Sequence, residues 1–212
     1  MLPDALKRRL VIPFLNRRYE ADRRKYWETR ECGERMRLAY EGDPDTEMSG
    51  WAFMDGVKGL APQPKSILEV GCGYGRLLKM LWDGGHRNLF GVDMSIASLT
   101  AARSYLKSPE VTLSVADVTD GLPFVDKSIG LVFTSGVLMH IPPKLFPKAV
   151  GECLRVARTW VMHCEDVRKG YPKYGHDVKA HYESLGYSPV TLDMPVPYLQ
   201  FMTVRVGEEA KA

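Results

Sequence analysis

The stretch Ile67-Leu68-Glu69-Val70-Gly71-Cys72-Gly73-Tyr74-Gly75-Arg76-Leu77-Leu78 carries the densest chemical signal in the chain. A short apolar run ends at Gly71, and a glycine turn passes straight into residues with helical periodicity. Such a turn lets backbone approach a ligand closely, since a Cβ at Gly71 or Gly73 would push the ligand away. The helix that follows presents unsatisfied N–H groups. The spacing is G-x-G-x-G, not the G-x-G-x-x-G of dinucleotide-binding turns. Glu69, two residues before the first glycine, repels a pyrophosphate and suits a cationic or amine-bearing ligand.

Other polar residues recur at the ends of apolar runs. Asp93 follows Asn88–Val92, and Asp117 follows Val111–Val115. His140 lies beyond Gly130–Thr134, and Glu165 and Asp166 beyond Thr159–Cys164. His163 lies within the last of these runs, and Tyr171, Tyr174 and His176 follow it. They do not read as a metal site. On a strand His163 and Glu165 point opposite to Cys164, and His176 and His181 are five apart, poor spacing for one helix face.

Positioning these residues requires alternating strands and helices. Arg76–Trp82 carries leucines and Trp82 at i,i+4, and Gly84-Gly85 stops it. Ser95 caps a helix bearing Ile96, Leu99 and Leu106. Pro142-Pro143 opens a helix through Phe146, Val150 and Leu154, and Asp177 opens one that Gly186 ends. Val190–Met194 and Gln200–Val206 close the chain as two strands with no helix between them. The reading is an α/β, doubly wound, mainly parallel seven-stranded sheet with a C-terminal antiparallel hairpin strand. Before it, residues 1–60 form an N-terminal helical lid or appendage, with Asp43 and Pro44 starting its last helix. Residues 61–212 form the core.

The whole has 212 residues, 45% hydrophobic and 26% charged, enough for one globular domain with a real core. No apolar run is long enough to span a bilayer. Cys32, Cys72, Cys153 and Cys164 show no paired spacing, as expected of thiols in a reducing cytoplasm. The net charge of +3 is unevenly spread: residues 1–40 hold eleven Lys/Arg against six acids, and the remainder 18 against 20.

The acid followed by x-G-x-G-x-G (Glu69, Gly71, Gly73, Gly75), with Asp93, Asp117 and the segment Leu131–His140 in order, resembles the class I S-adenosylmethionine-dependent methyltransferases. The resemblance runs from about Ser66 to Val206. It implies that S-adenosylmethionine binds and leaves as S-adenosylhomocysteine. Asp93 would take the ribose hydroxyls and Asp117 the adenine amino group. Glu69, Gly71, Cys72, Gly73, Gly75, Met94, Val118 and Ser135 complete the cofactor set. It also places His140 where the sulfonium faces the acceptor, so its imidazole is a candidate base, with Glu165 a second catalytic candidate on the opposite rim.

The signatures of nucleic-acid amino methyltransferases, metal-dependent catechol enzymes and arginine methyltransferases are not found here. A small-molecule O- or N-methyltransferase in biosynthesis remains, working as monomer or homodimer without membrane or nucleic acid. The segment Gly136–Pro143 is weakly similar to methylases of nonulosonic sugar pathways and of natural-product tailoring. Tyr26, Trp51, His163, Tyr171 and His176 are the expected acceptor-binding residues. Arg17, Arg18, Arg23 and Arg24 in the lid suggest an anionic acceptor. A protein or RNA methyltransferase, or a non-catalytic cofactor-binding module, stays open as an alternative.

Overall fold

The computed structural model describes residues 12–29, 37–38, 41–170, 172–192 and 196–207; the side chains of residues 12–14 and 192 lie outside the description. Seven strands form one sheet in the order β3-β2-β1-β4-β5-β7-β6. They are β1 (Ile67–Val70), β2 (Leu89–Asp93), β3 (Thr112–Val115), β4 (Ile129–Ser135), β5 (Ala157–Asp166), β6 (Val190–Leu192) and β7 (Leu199–Arg205). The first five run parallel, and β7 lies antiparallel to both β5 and β6. The expected sheet and its closing hairpin are therefore both present.

Parallel strands covered on both faces must be apolar throughout rather than alternating. β1 and β4 obey this: all of β1 is buried, as is β4 from Ile129 to Thr134. The helices supply the covers. On one face α6 (Phe146–Val156) and α7 (Val178–Ser184) bury Val150, Cys153 and Tyr182 with Val132 and Val161. On the other, α4 (Arg76–Asp83) and α5 (Ile96–Leu106) bury Leu77, Leu78, Leu81 and Leu106 with Ile67 and Leu131.

The anticipated appendage of residues 1–60 divides in two. Its last helix, α3 (Pro44–Gly59), is part of the core. Asp43 caps it, accepting from the Thr46 N–H at 2.9 Å. Phe53, Met54 and Val57 are buried beside Leu81 and Phe201, and the Phe53 and Phe133 rings lie 4.4 Å apart. Each such side chain contributes roughly 1.5–3 kcal/mol by leaving water, which ties α3 to the sheet. Among the described residues, α1 (Ile12–Ala21) and α2 (Arg23–Thr29) bring Tyr19, Arg23 and Trp27 to residues at the carboxyl ends of β2, β4 and β5.

The helix expected at Pro142-Pro143 begins later, at Phe146. Before it, Leu138–His140 forms a 3-10 turn. The Pro142 carbonyl accepts from the Leu145 and Phe146 N–H groups, so the prolines make the turn into the helix rather than its first residues.

Candidate active site

Gly71, Gly73 and Gly75 all sit at positive φ, at 72°, 54° and 84°. A Cβ on Gly71 would lie 2.4 Å from Val137 Cγ2, so the turn packs against the segment after β4. A Cβ on Gly73 would meet nothing within 4 Å, because that side opens into the cavity. The turn is pinned to β2: the Gly71 and Cys72 N–H groups donate to the Val92 carbonyl at 2.7 and 2.9 Å. The Gly73 N–H donates to Asp93 Oδ2 at 2.9 Å.

A cavity of about 390 Å³ lies between this turn, the strand ends and the lid. Of the expected cofactor residues, Glu69, Gly71, Cys72, Gly73, Asp93, Met94, Asp117, Val118 and Ser135 all line it. Gly75 does not; it starts α4 in the left-handed conformation. Glu69 is 4% exposed, and its Oε2 has no hydrogen-bond partner. Burial pushes its pKa well above the ordinary carboxylate value, with Arg76 opposing the shift. Burial likewise raises Asp93, against the N–H groups of Ser95 and Gly73 that favour its ionised form.

At the far end the cavity is lined by Tyr19, Trp27, Asp45, His140, Asp166 and Tyr198. His140 Nδ1 lies 2.5 Å from the Pro172 carbonyl, an atom that only accepts, so Nδ1 carries the proton and Nε2 is the basic nitrogen. Trp27 meets the imidazole edge-on at 5.0 Å. Tyr19 donates to the His140 carbonyl at 2.9 Å and accepts from Trp27 Nε1 at 3.1 Å. Asp166 is pushed up by burial, but bonds from Arg168 and Lys173 outweigh this and hold it at about 2. Tyr198 donates to Asp45.

Several expected site residues lie elsewhere. Glu165 is buried beneath the cavity, not in it. Its Oε1 accepts from Thr134 Oγ1 at 2.6 Å, and its Oε2 from the Met139 N–H at 3.1 Å. Since Val137 and Leu138 also direct N–H groups to it, Glu165 anchors the turn that carries His140. His163 is buried one step further along the same chain. Its Nδ1 is 2.7 Å from Thr134 Oγ1, and its Nε2 2.8 Å from the Tyr182 hydroxyl. Burial lowers its pKa to about 3, so it is neutral.

His176 stacks on Phe146 at 4.1 Å and donates from Nε2 to the Ile141 carbonyl; it packs a loop outside the cavity. Trp51 is 64% exposed on the outer side of α3. Tyr26 supports the lid aromatics through edge contacts at 5.0 and 5.1 Å. Tyr171 lies outside the described residues.

Among the described residues the lid arginines are not gathered at one place. Arg23 is paired with Asp117, Arg24 donates to the Met94 carbonyl, and Arg17 and Arg18 are exposed. Among the described residues no group of three or more His, Cys, Asp or Glu could hold a metal. Asp45 and Tyr198 were missed by sequence reasoning. They meet across 153 positions, and no local pattern marks either one.

Residues 67–159 match the family model described as a methyltransferase domain. A search of curated proteins gives no match. Solved structures are similar in fold. Magnesium protoporphyrin IX methyltransferase from Synechocystis PCC 6803, with S-adenosylhomocysteine bound, superposes with a TM-score of 0.70 at 16% identity, covering 89% of this chain and 100% of that one. The N-methyltransferase NodS from Bradyrhizobium japonicum WM9, also with S-adenosylhomocysteine, gives 0.68 at 13%, covering 84% and 96%. Phosphoethanolamine N-methyltransferase 1 from Haemonchus contortus gives 0.69 at 12%, covering 95% of this chain and 52% of that one.

Residues 67–159 thus carry a methyltransferase domain, and the strand order and glycine turn agree with the fold of the similar structures.

Proposed function

We propose that the chain is an S-adenosylmethionine-dependent methyltransferase, which transfers a methyl group to an oxygen or nitrogen of a small molecule in the cytoplasm with His140 as the general base. The observation that carries this reading is His140 itself. It lines the cavity on a turn fixed by Glu165, with its tautomer set by Pro172 and its ring backed by Trp27.

The residues fit the cofactor. Glu69 has a buried oxygen without a partner, suited to an ammonium group, Gly73 opens to the cavity, and Asp93 and Asp117 line the same cavity as the expected partners of ribose and adenine. When bound, S-adenosylmethionine supplies a sulfonium-activated methyl group, so the protein needs no covalent catalysis. The chain's own work is to align the acceptor, exclude water and remove a proton. Tyr19 and Trp27 of α1 and α2 close the cavity above His140, whose Nε2 takes the proton. Residues 12–29 act as the lid on the remaining core.

Among the charged residues that line the cavity beside α3 and the end of β5, the carboxylates Asp43, Asp45 and Asp166 outnumber Arg76, which lies against Gly50. They favour an amine or a neutral hydroxyl compound over the anionic sugar that the basic N-terminal segment suggests. Two of the similar structures are named as N-methyltransferases, which agrees with an amine acceptor.

The test is turnover across amine, hydroxyl and carboxylate acceptors of matched size. His140→Ala is expected to lower kcat by about 10²–10⁴-fold with S-adenosylhomocysteine affinity unchanged, and His140→Gln is not expected to rescue it, because an amide takes no proton. Rescue by glutamine would reduce His140 to an orienting residue. Tight cofactor binding with no turnover on any acceptor would favour a non-catalytic module.

A further inference from the structure

Arg23, the first residue of lid helix α2, reaches across 94 positions to Asp117. Its Nη2 lies 2.9 Å from Asp117 Oδ2 and 2.6 Å from Thr119 Oγ1. Both side chains are withdrawn from solvent, at 11% and 7% exposure, and both line the cavity. The far oxygen, Asp117 Oδ1, is already filled: it accepts from the Thr119 N–H at 2.9 Å and the Thr119 hydroxyl at 2.8 Å. Oδ2 accepts only from Arg23 among the hydrogen bonds described, which leaves it one lone pair. On the other side of the pair, Arg23 Nη1 is buried and has no acceptor.

Two residues that line the cavity therefore hold, close together, an acceptor with a spare lone pair and a buried charged donor without a partner. That pattern complements a ring nitrogen flanked by an exocyclic amino group. Adenine carries this arrangement on two edges, its amino group beside N1 and beside N7. The rest of α2 is fastened to the same half of the cavity. Glu28 accepts from the Ile96 and Ala97 N–H groups at 2.7 and 3.3 Å, just past Asp93.

We propose that Arg23 is a nucleobase-binding residue: Asp117 takes the adenine amino group while Arg23 Nη1 donates to a neighbouring ring nitrogen. The lid helix is then part of the cofactor site, and the cofactor itself holds α2 down. This rests on the placement of the cofactor in the cavity. The opposite role for the same contact is a plug, in which Arg23 occupies Asp117 and has to leave before adenine enters. The two differ in sign.

Calorimetric titration of the full chain with S-adenosylhomocysteine, and with its 1-deaza and 7-deaza analogues, separates them. The wild-type protein is expected to bind one deaza analogue about 10- to 100-fold more weakly, the loss for one hydrogen bond from a charged donor. Arg23→Gln and Arg23→Ala are expected to weaken S-adenosylhomocysteine by a similar factor and to bind the parent and that deaza analogue equally. Thermal unfolding of each variant checks that it is folded, and Arg23→Lys serves as a second variant should both fail. In the wild type, S-adenosylhomocysteine is expected to protect Arg24 and Lys25 from trypsin. Tighter or unchanged binding by a folded Arg23→Gln protein would overturn the proposal, as would wild-type indifference to both deaza analogues. A folded wild-type protein that binds no S-adenosylhomocysteine would instead overturn the cofactor placement beneath it.

Discussion

Carboxylates line both ends of the cavity, but their surroundings push them in opposite directions. At the end by the glycine turn, burial raises Glu69 and Asp93, and one Glu69 oxygen has no partner. At the end proposed for the acceptor, hydrogen bonds from Thr46 lower Asp43, and Arg168 and Lys173 bring Asp166 down against its burial. The first end is electrostatically incomplete until a donor-rich ligand arrives, while the second is satisfied by the protein. Cofactor affinity should thus hinge on single acids. Acceptor recognition should be spread over shape, Trp27 and His140.

The sharpest way to break this contrast is to remove one acid from each end. Asp93→Ala is expected to weaken S-adenosylhomocysteine binding by about 1–3 kcal/mol, the cost of losing a charged hydrogen-bonding group. Asp166→Ala is expected to leave that affinity within twofold and to act on acceptor KM. Equal effects from the two in titration calorimetry would erase the distinction.

A second measurement probes the buried chain under the acceptor end. His163 is neutral in the fold, with a pKa of about 3, but ordinary in the unfolded chain. Between those values the unfolded chain binds the extra proton, so stability falls as pH drops from about 6.5 toward 3. The loss attributable to His163 is roughly 2 kcal/mol at pH 5. In His163→Gln the difference in unfolding free energy between pH 7 and pH 5 is expected to shrink by that amount. An unchanged difference would mean the imidazole is not held neutral.

The smallest effect is a proton count. An ammonium group beside Glu69 favours its ionised form, so cofactor binding is expected to release part of a proton and to tighten as pH rises through the raised Glu69 range. Calorimetry in buffers of different ionisation enthalpy reads this, and Glu69→Gln should reduce it.

The same contrast decides what could be read from sequence. Glu69, Gly71, Gly73 and Asp93 lie within positions 69 to 93, where one strand, one turn and the next strand fix them by local pattern. β-strand periodicity and the glycine spacing were enough. Glu165 was legible as a strand-end acid but not as a buried one, because burial depends on the turn Val137–Met139 folding over it. Trp51 and His176 had suitable chemistry, yet the helix face of the first and the Phe146 stack of the second turn them away from the cavity. Charge misled most. The basic N-terminal segment suggested an anion, but the partner of Arg23 lies at Asp117, beyond the reach of any local reading.

The lid contacts also bear on how the chain folds as it is made. Tyr19 precedes its partner residue His140 by 121 positions, a separation that synthesis at 5–20 residues per second spans in roughly 6–24 s. During that interval β1 through β4 are still emerging, and no strand-end surface exists for Tyr19 and Trp27 to cover. Contacts this distant in sequence follow the assembly of the sheet rather than guide it. The first-made helices of the described chain therefore dock late, and until the core is in place their aromatic side chains have only one another to pack against.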